Sequence, residues 1–557
     1  MMETTLESVI DVRERAARTA RFTPERLAND RELAVNRERY KWQHIPGVPP
    51  YSKKNPDIPE LRAKGRLGYD YSMSIVDGAL SGVAWTLDKS KRANRLSQYS
   101  HAYTFRRRPE VATRWRTDAE FARQRLNGVN PLLISRITEI PEKFAVTEER
   151  VRNVLPNGVS LRSLLAEGRL YLCDWAELEG CPVAFGRFLS APLVLFWVDQ
   201  NRQLMPLAIQ LAQSIDDAKV VFTPSDEPWL WLTARTHVQA ADAALHEIVA
   251  HLFRTHLTME AVFVAMCRTL PPQHPVHKFL APHFEGTIYI NRGARETMIA
   301  PGGPIDEAIA VGTDGAYWLI GQAWHSFDFG QLDPVEDLKR RGVDSADDLP
   351  GYYYRDDALL LWDAIGTYTE NVLRHFYSND AEVAEDDCLA NWFVELTSPD
   401  AGGIAGIPGA DGNFRTFDNL HRMVRTTMFT ATCEHSAVNN GQYDIFGFIP
   451  NAPGAMYLPP PTTFDISSEG MFTYGLPPFK AVATQLKLVH LLSTPPMSRL
   501  GQFPSEFLRE HQEVRRYVDR FLVDLDDIAV TIAERNARVP VPYTYLQPES
   551  IANSISV

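Results

Sequence analysis

From residue 118 onward, apolar positions recur mostly with a helical period, in long stretches broken by proline-rich connections such as LPPQHP, HSFDFGQLDP and LPPPTTF. Alternating strand-like runs are few, so the pattern predicts a mainly α fold. One short β interval is expected over 192–212, where the apolar runs PLVLFWV and LMPLAIQLA flank a polar turn. Residues 1–60 are rich in Arg, Glu and Asp and end in IPGVPPYSKKNPDIPE, which reads as polar helix followed by extended linker. The segment YSMSIVDGALSGVAWTL (71–87) carries apolar residues at helical spacing and runs into the basic cluster KSKR (89–92). It is expected to dock on the core as an ordinary amphipathic helix, or to touch a membrane surface. No internal repeat and no low-complexity tract interrupts the chain.

Composition narrows the function classes. The 557 residues, 45% of them apolar, can bury a large core. A formal charge of −13 disfavours a sequence-independent hold on nucleic acid, which needs a basic surface to displace counterions. Five cysteines without paired spacings (Cys173, Cys181, Cys267, Cys388, Cys433) fit neither a disulfide framework nor a cysteine zinc site. The N-terminus alternates charges, without the apolar core of a secretory signal, and no run approaches twenty apolar residues. A cytoplasmic protein, with peripheral membrane contact through 71–92 as an option, is the expectation.

The most informative stretch is AALHEIVAHLFRTHLTMEAVFVAMCR (243–268), in which His246, His251 and His256 recur every five residues. In a regular α-helix five residues turn through about 500°, leaving successive histidines about 140° apart and unable to face one small ion. A wider i→i+5 turn would bring His251 and His256 onto one face, so a π-helical turn is predicted here. HEIVAH resembles the zinc-protease signature but is one residue too long, because that motif needs its two histidines four apart. Taken alone, the ladder is better explained by three helix histidines packed or hydrogen-bonded in a core. A second segment, ATCEHSAVNNGQYDIFGF (431–448), tips the balance: His435 and Asn439 lie four residues apart and share a helix face. Imidazoles, an amide oxygen and a carboxylate, without thiolate, suit iron or manganese better than structural zinc.

These segments resemble the lipoxygenase family. The ladder followed by LPPQHPVHKFLAPHFEGTIYINRGAR (270–295) is similar to the family's iron-binding helix and its continuation. HSAVNNGQYDIFGFIPNAPGAM (435–456) is similar to its second ligand helix, and PESIANSISV (548–557) to its C-terminus. EFARQRLNGVNP, SAPLVLFWV and PLAIQL add earlier matches, so the resemblance covers roughly 115–557. It implies a large single helical catalytic domain over 115–557, with a long central helix and a small β portion, preceded by a helical and linker extension over 1–114. The β-barrel with which many members begin is expected to be missing.

The resemblance implies one non-haem iron, with manganese as the less favoured metal. Its ligands would be His251, His256, His435, Asn439 and the main-chain carboxylate of Val557. His246, Glu247 and Gln442 would stand around them in an outer hydrogen-bond network. The hydrogen-abstracting group would belong to the metal rather than to a side chain. The substrates implied are dioxygen and a polyunsaturated fatty acid of the linoleate or arachidonate type, and the product is a hydroperoxide. Ala294 stands where the family carries Ala or Gly, a choice associated with stereochemistry, and Ala leans towards S products. Leu257, Met298 and Ile305 match positions that clasp the acyl chain, and Ala243 matches a pocket-floor position. Gly293 and Ala452 depart from basic residues found in some members, which leaves the partner of the substrate carboxylate open; Arg292 and Lys278 lie nearby in sequence. A hydroperoxide isomerase or epoxyalcohol synthase on the same fold is the alternative, and a non-catalytic lipid-binding protein the reading from another class.

Overall fold

The computed structural model describes residues 29–53, 92–104, 106–410, 412–465, 468–493, 498–503 and 512–555. The segment 71–91, on which the membrane-contact expectation falls, and Val557 lie outside the described residues.

One continuous helix, Pro228–Thr269, forms the axis of the fold. It opens with Pro228 at its first position, where no backbone N–H is needed, and the Glu227 carboxylate accepts from the Leu230 N–H. Regular α-helix runs to Leu245, a π-helical stretch spans His246–Leu257, and α-helix resumes over Thr258–Thr269. The wide segment is therefore longer than the single turn the histidine spacing required, and covers both five-residue intervals. At 42 residues the helix is long and apolar enough to cross a membrane by length and composition, a point the sequence reading passed over, yet 83% of its most apolar window is buried within the protein.

All of its charged side chains but Glu247 have a partner of opposite charge. Asp242 pairs with Arg125 at 2.7 Å and accepts from Asn130 at 2.9 Å, so burying this carboxylate does not leave it without partners. A second pair of long helices, Tyr353–Phe376 and Gln512–Asn536, packs one against the other. In the latter, Val514, Val518, Phe521, Leu525, Ile528 and Ile532 are buried at intervals of three and four, the helical stripe that faces a core.

Two small sheets accompany the helices. A hairpin pairs β1 (Trp42–Ile45) with β2 (Val48–Ser52). Five antiparallel strands follow in sequential order: β3 (Ser135–Arg136), β4 (Leu170–Asp174), β5 (Leu193–Val198), β6 (Leu204–Gln210) and β7 (Val221–Phe222). β5 and β6 occupy the expected β interval. The hairpin corrects the reading of residues before 115 as helix and linker alone: Pro49 and Pro50 fit a strand only because β2 lies in a two-stranded ribbon, where an N–H can be missing. β2 packs on the central helix, and the Ser52 N–H donates to the buried Glu260 carboxylate at 3.3 Å.

Candidate metal centre

The π-helical stretch places His246, His251 and His256 in a row, with ring centroids 5.8 Å and 4.8 Å apart. His435 enters from a second helix, which runs as α over Phe417–Phe429, widens into a π turn at Thr430–Glu434 and returns to α over His435–Asn439. Arg254 of the central helix ion-pairs with Glu434 and so ties the two helices together one residue before His435. The Nε2 atom of His256 lies 3.2 Å from Nε2 of both His251 and His435, and all three residues are buried.

The row is not uniform. His246 uses Nε2 to donate to the Val438 carbonyl at 2.7 Å, so it braces the second helix and turns away from the other three. His256 meets the Asn291 amide oxygen through Nδ1 at 2.9 Å; that contact places the proton on Nδ1 and leaves Nε2 with a free lone pair. Asn291 also donates to the His256 carbonyl at 2.8 Å and to Glu260 at 2.9 Å, and Arg295 makes two bonds to Glu260 at 2.8 and 3.0 Å. This chain of contacts reaches the N-terminal hairpin, where the Arg295 guanidinium lies 4.0 Å over the Tyr51 ring.

Around His251, Gln442 Nε2 stands 3.4 Å from Nδ1 and donates to Asn439 Oδ1 at 3.2 Å, and a Glu247 carboxylate oxygen lies 3.9 Å from Nδ1. Gly441 lets the chain turn between Asn439 and Gln442, since a Cβ there would meet the Tyr545 ring at 2.6 Å. Burial lowers His251 and His256 to about 3 and His435 well below its ordinary value, so the imidazoles are neutral and able to donate lone pairs. Burial pushes the Glu247 carboxyl up to about 7 and the Cys433 thiol up to about 12, which disfavours a thiolate beside His435.

The donor set fits a metal ion. Imidazole nitrogens held about 2.1 Å from one ion and near right angles to one another stand about 3 Å apart. Among the described residues, Nδ1 of His435 and Oε1 of Gln442 are buried without a protein hydrogen-bond partner. The described C-terminal residues run to the same place: Ile551–Ile555 are buried, the Ala552 N–H donates to Ser436 Oγ at 3.1 Å, and Thr287 donates to the Ile555 carbonyl at 3.3 Å.

A cavity of about 530 Å³ opens from His251 and His256. Ala294, Met298 and Ile305 line it, two of them on the π turn Ala294–Met298. Leu257 and Ala243 lie outside its lining. Leu257 ends the π stretch and packs into the main core, and Ala243 faces a satellite cluster with Val129, Ile445, Phe446, Ala452 and Val489. Arg292 reaches the lining but pairs with Glu296 at 2.7 Å; Lys278 does not reach it. Gly293 also lines the cavity, with no atom within 4 Å of where a Cβ would stand. Sequence reasoning missed Asn291 and the lining residues Lys487, Leu488, Leu491 and Leu492, all four from one late helix, Phe479–Leu492.

Comparison with known proteins agrees with this architecture. The sequence model of the lipoxygenase family matches residues 78–542. The human polyunsaturated fatty acid lipoxygenase ALOX15B is 34% identical over 94% of this chain and 79% of its own length. The human hydroperoxide isomerase ALOXE3 is 34% identical over 80% of this chain and 63% of its own. A lipoxygenase variant crystallised with arachidonate superposes with a TM-score of 0.89 at 28% identity, covering 96% of this chain and 82% of that one. Coral 8R-lipoxygenase gives 0.86 at 28%, over 95% and 81%. The chain belongs to the lipoxygenase family, whose members are fatty-acid dioxygenases.

Proposed function

We propose that this chain oxygenates a polyunsaturated fatty acid of the linoleate or arachidonate type to a hydroperoxide at a single iron. In this reading His251, His256 and His435 hold the metal, Asn439 is a weaker ligand and the Val557 carboxylate completes the set. The observation that carries it is the convergence of three neutral imidazoles, with His256 Nε2 3.2 Å from Nε2 of each of the other two, at the end of a largely apolar cavity. Bound there, iron would supply one-electron chemistry suited to the weak C–H bond between two cis double bonds. The chain's own residues do the rest. Ile248, Leu252, Ile305 and Leu488 give the acyl chain an apolar bed and exclude groups that would quench a radical. Asn291 fixes the His256 ring, and Ala294 and Met298 set the width of the cavity beside the reacting carbons.

The direct test is oxygen uptake by an iron-quantified preparation given linoleate or arachidonate, followed by chiral chromatography of the product. The 34% identity to a hydroperoxide isomerase keeps a second reading in view. Turnover of added hydroperoxide without net oxygen uptake would select that one instead.

Two variants probe the assigned roles. Asn291→Ala removes the acceptor that orients His256, and changes of this kind cost about 10- to 100-fold in metal affinity or activity; iron titration and rates should both show it, and an unaltered affinity would deprive Asn291 of this role. Ala294→Gly widens the cavity at one point and is expected to move the product's S:R ratio by about tenfold or more, for a free-energy difference of only about 1.4 kcal/mol. An unchanged enantiomeric ratio would take stereocontrol away from this residue.

A further inference from the structure

A second cleft, of about 320 Å³, lies on the outer surface, lined by Leu96, Arg108, Arg114, Trp115, Arg116 and Phe448 among others. It belongs to a run with five arginines in eleven residues (Arg106, Arg107, Arg108, Arg114, Arg116) in a chain whose formal charge is −13. Among the described residues no carboxylate lines it. Arg114 is already paired with the buried Glu120 at 2.8 Å. Arg108 and Arg116 are exposed, and among the described residues neither makes an ion pair.

Both free guanidiniums are held by stacking rather than by charge. Arg108 lies 5.0 Å from the Phe448 ring centroid, and Arg116 lies 5.3 Å from both Trp115 and Trp229. The main chain beneath them is fixed by the buried Arg235, which donates to the Arg116 carbonyl at 2.9 Å and the Trp115 carbonyl at 2.7 Å. Two oriented guanidiniums whose N–H groups are not spent on carboxylates are suited to the oxygens of a phosphate.

The neighbouring helix, Glu469–Gly475, adds an apolar edge. Its inner face stacks Phe472 on Trp115 at 6.1 Å, and Glu469 accepts from the Leu96 N–H of the cleft at 2.9 Å. Its outer face presents Met471 and Tyr474, each 56% exposed. Arg92, beside Tyr474 at 5.0 Å, extends the positive charge. Fixed cations next to exposed apolar and tyrosine side chains match the layering of a bilayer surface, where headgroup phosphate lies outside the acyl region.

We propose that Arg108 and Arg116 take the phosphate of an anionic phospholipid headgroup and that, with Met471 and Tyr474 entering the interface, this surface docks the protein on an anionic bilayer. Four residues beyond Gly475 begins the helix Phe479–Leu492, whose Lys487, Leu488, Leu491 and Leu492 line the large cavity. Docking would thus set the first turn of this helix near the source of acyl chains, with the cavity-lining turns about 12 Å further along it. Only that last consequence rests on the lipoxygenase reading, because binding is measured without turnover.

The experiment is co-sedimentation of the full chain with phosphatidylcholine vesicles, with and without about 30% phosphatidylglycerol, at low salt. The wild type should bind the anionic vesicles and leave the neutral ones in comparison unoccupied. Arg108→Gln with Arg116→Gln should lower the partition coefficient about thirtyfold, the expected effect of two basic side chains near such a surface. Neither residue touches the cavity, so oxygen uptake on dilute free fatty acid should stay at the wild-type rate and report that the fold is intact. Met471→Ser with Tyr474→Ser, confined to exposed side chains, should weaken binding about tenfold and supplies an arm that does not disturb the tryptophans around Arg116. Equal binding by wild type and the arginine variant, or equal binding to neutral and anionic vesicles, would overturn the proposal. So would tight retention of inorganic phosphate without vesicle binding, which would assign the cleft to a free anion.

Discussion

His256→Ala is expected to lower iron affinity by a hundred- to a thousandfold and to reduce oxygen uptake to background. His256 is the middle imidazole, 3.2 Å from both of its neighbours, so its loss takes away the donor that stands closest to the other two. If the four stronger ligands, the three imidazoles and the terminal carboxylate, together contribute about 10–16 kcal/mol, one of them is worth about 2.5–4 kcal/mol, in line with the loss quoted. His246→Ala offers the contrast. Its Nε2 is committed to the Val438 carbonyl, so that variant should lose some stability and keep most of its iron. Metal analysis and an oxygen electrode on the same preparations read both effects. Full iron and undiminished uptake in His256→Ala would remove this residue from the site.

Removing Val557 should be nearly as damaging, whereas Val557→Ile should be close to neutral. The proposed ligand is the terminal carboxylate, which the longer side chain leaves in place and the deletion moves one residue back along the chain. The preceding residues cannot slide to compensate. Asn553 accepts from His283 Nδ1 at 2.9 Å and donates to the Gln502 carbonyl at 3.1 Å, and Ser554 donates to the Glu285 carbonyl at 3.0 Å. With the tail fixed at these points, the deletion is expected to withdraw the proposed ligand. Iron retained at wild-type stoichiometry after the deletion would show that the carboxylate is not a ligand.

The candidate metal centre was legible in the sequence to the extent that spacing carries information. Histidines five apart cannot serve one ion on a regular α-helix, so once the second segment pointed to a metal the ladder called for a π turn, and the four-residue spacing of His435 and Asn439 put both on one face. What spacing could not announce was Asn291, an ordinary amide in YINRG whose contact with His256 is made across 35 residues by tertiary packing. The cavity was half legible for the same reason. Ala294, Met298 and Ile305 sit in a segment that the family resemblance singles out, whereas Leu488, Leu491 and Leu492 belong to an amphipathic helix with nothing to separate a cavity wall from a core face. The β5–β6 hairpin showed itself as paired apolar runs. The β1–β2 hairpin did not, because VPPYS puts two prolines where strand propensity is read, and only the pairing of Trp42 with Ser52 and Gln43 with Tyr51 reveals it.

The twelve-residue π stretch makes the central helix a gauge of chain length rather than of composition. Dropping one residue between His251 and His256 would restore the spacing of an α-helix and rotate everything beyond it by about 100°. Because the helix continues unbroken to Thr269, that rotation would carry Glu260 away from Asn291 and Arg295 as well as moving His256. Exposed positions elsewhere can drift in identity, but this span tolerates neither insertion nor deletion, so among functioning descendants of this sequence the count of residues from His246 to His256 should outlast the residues that fill it.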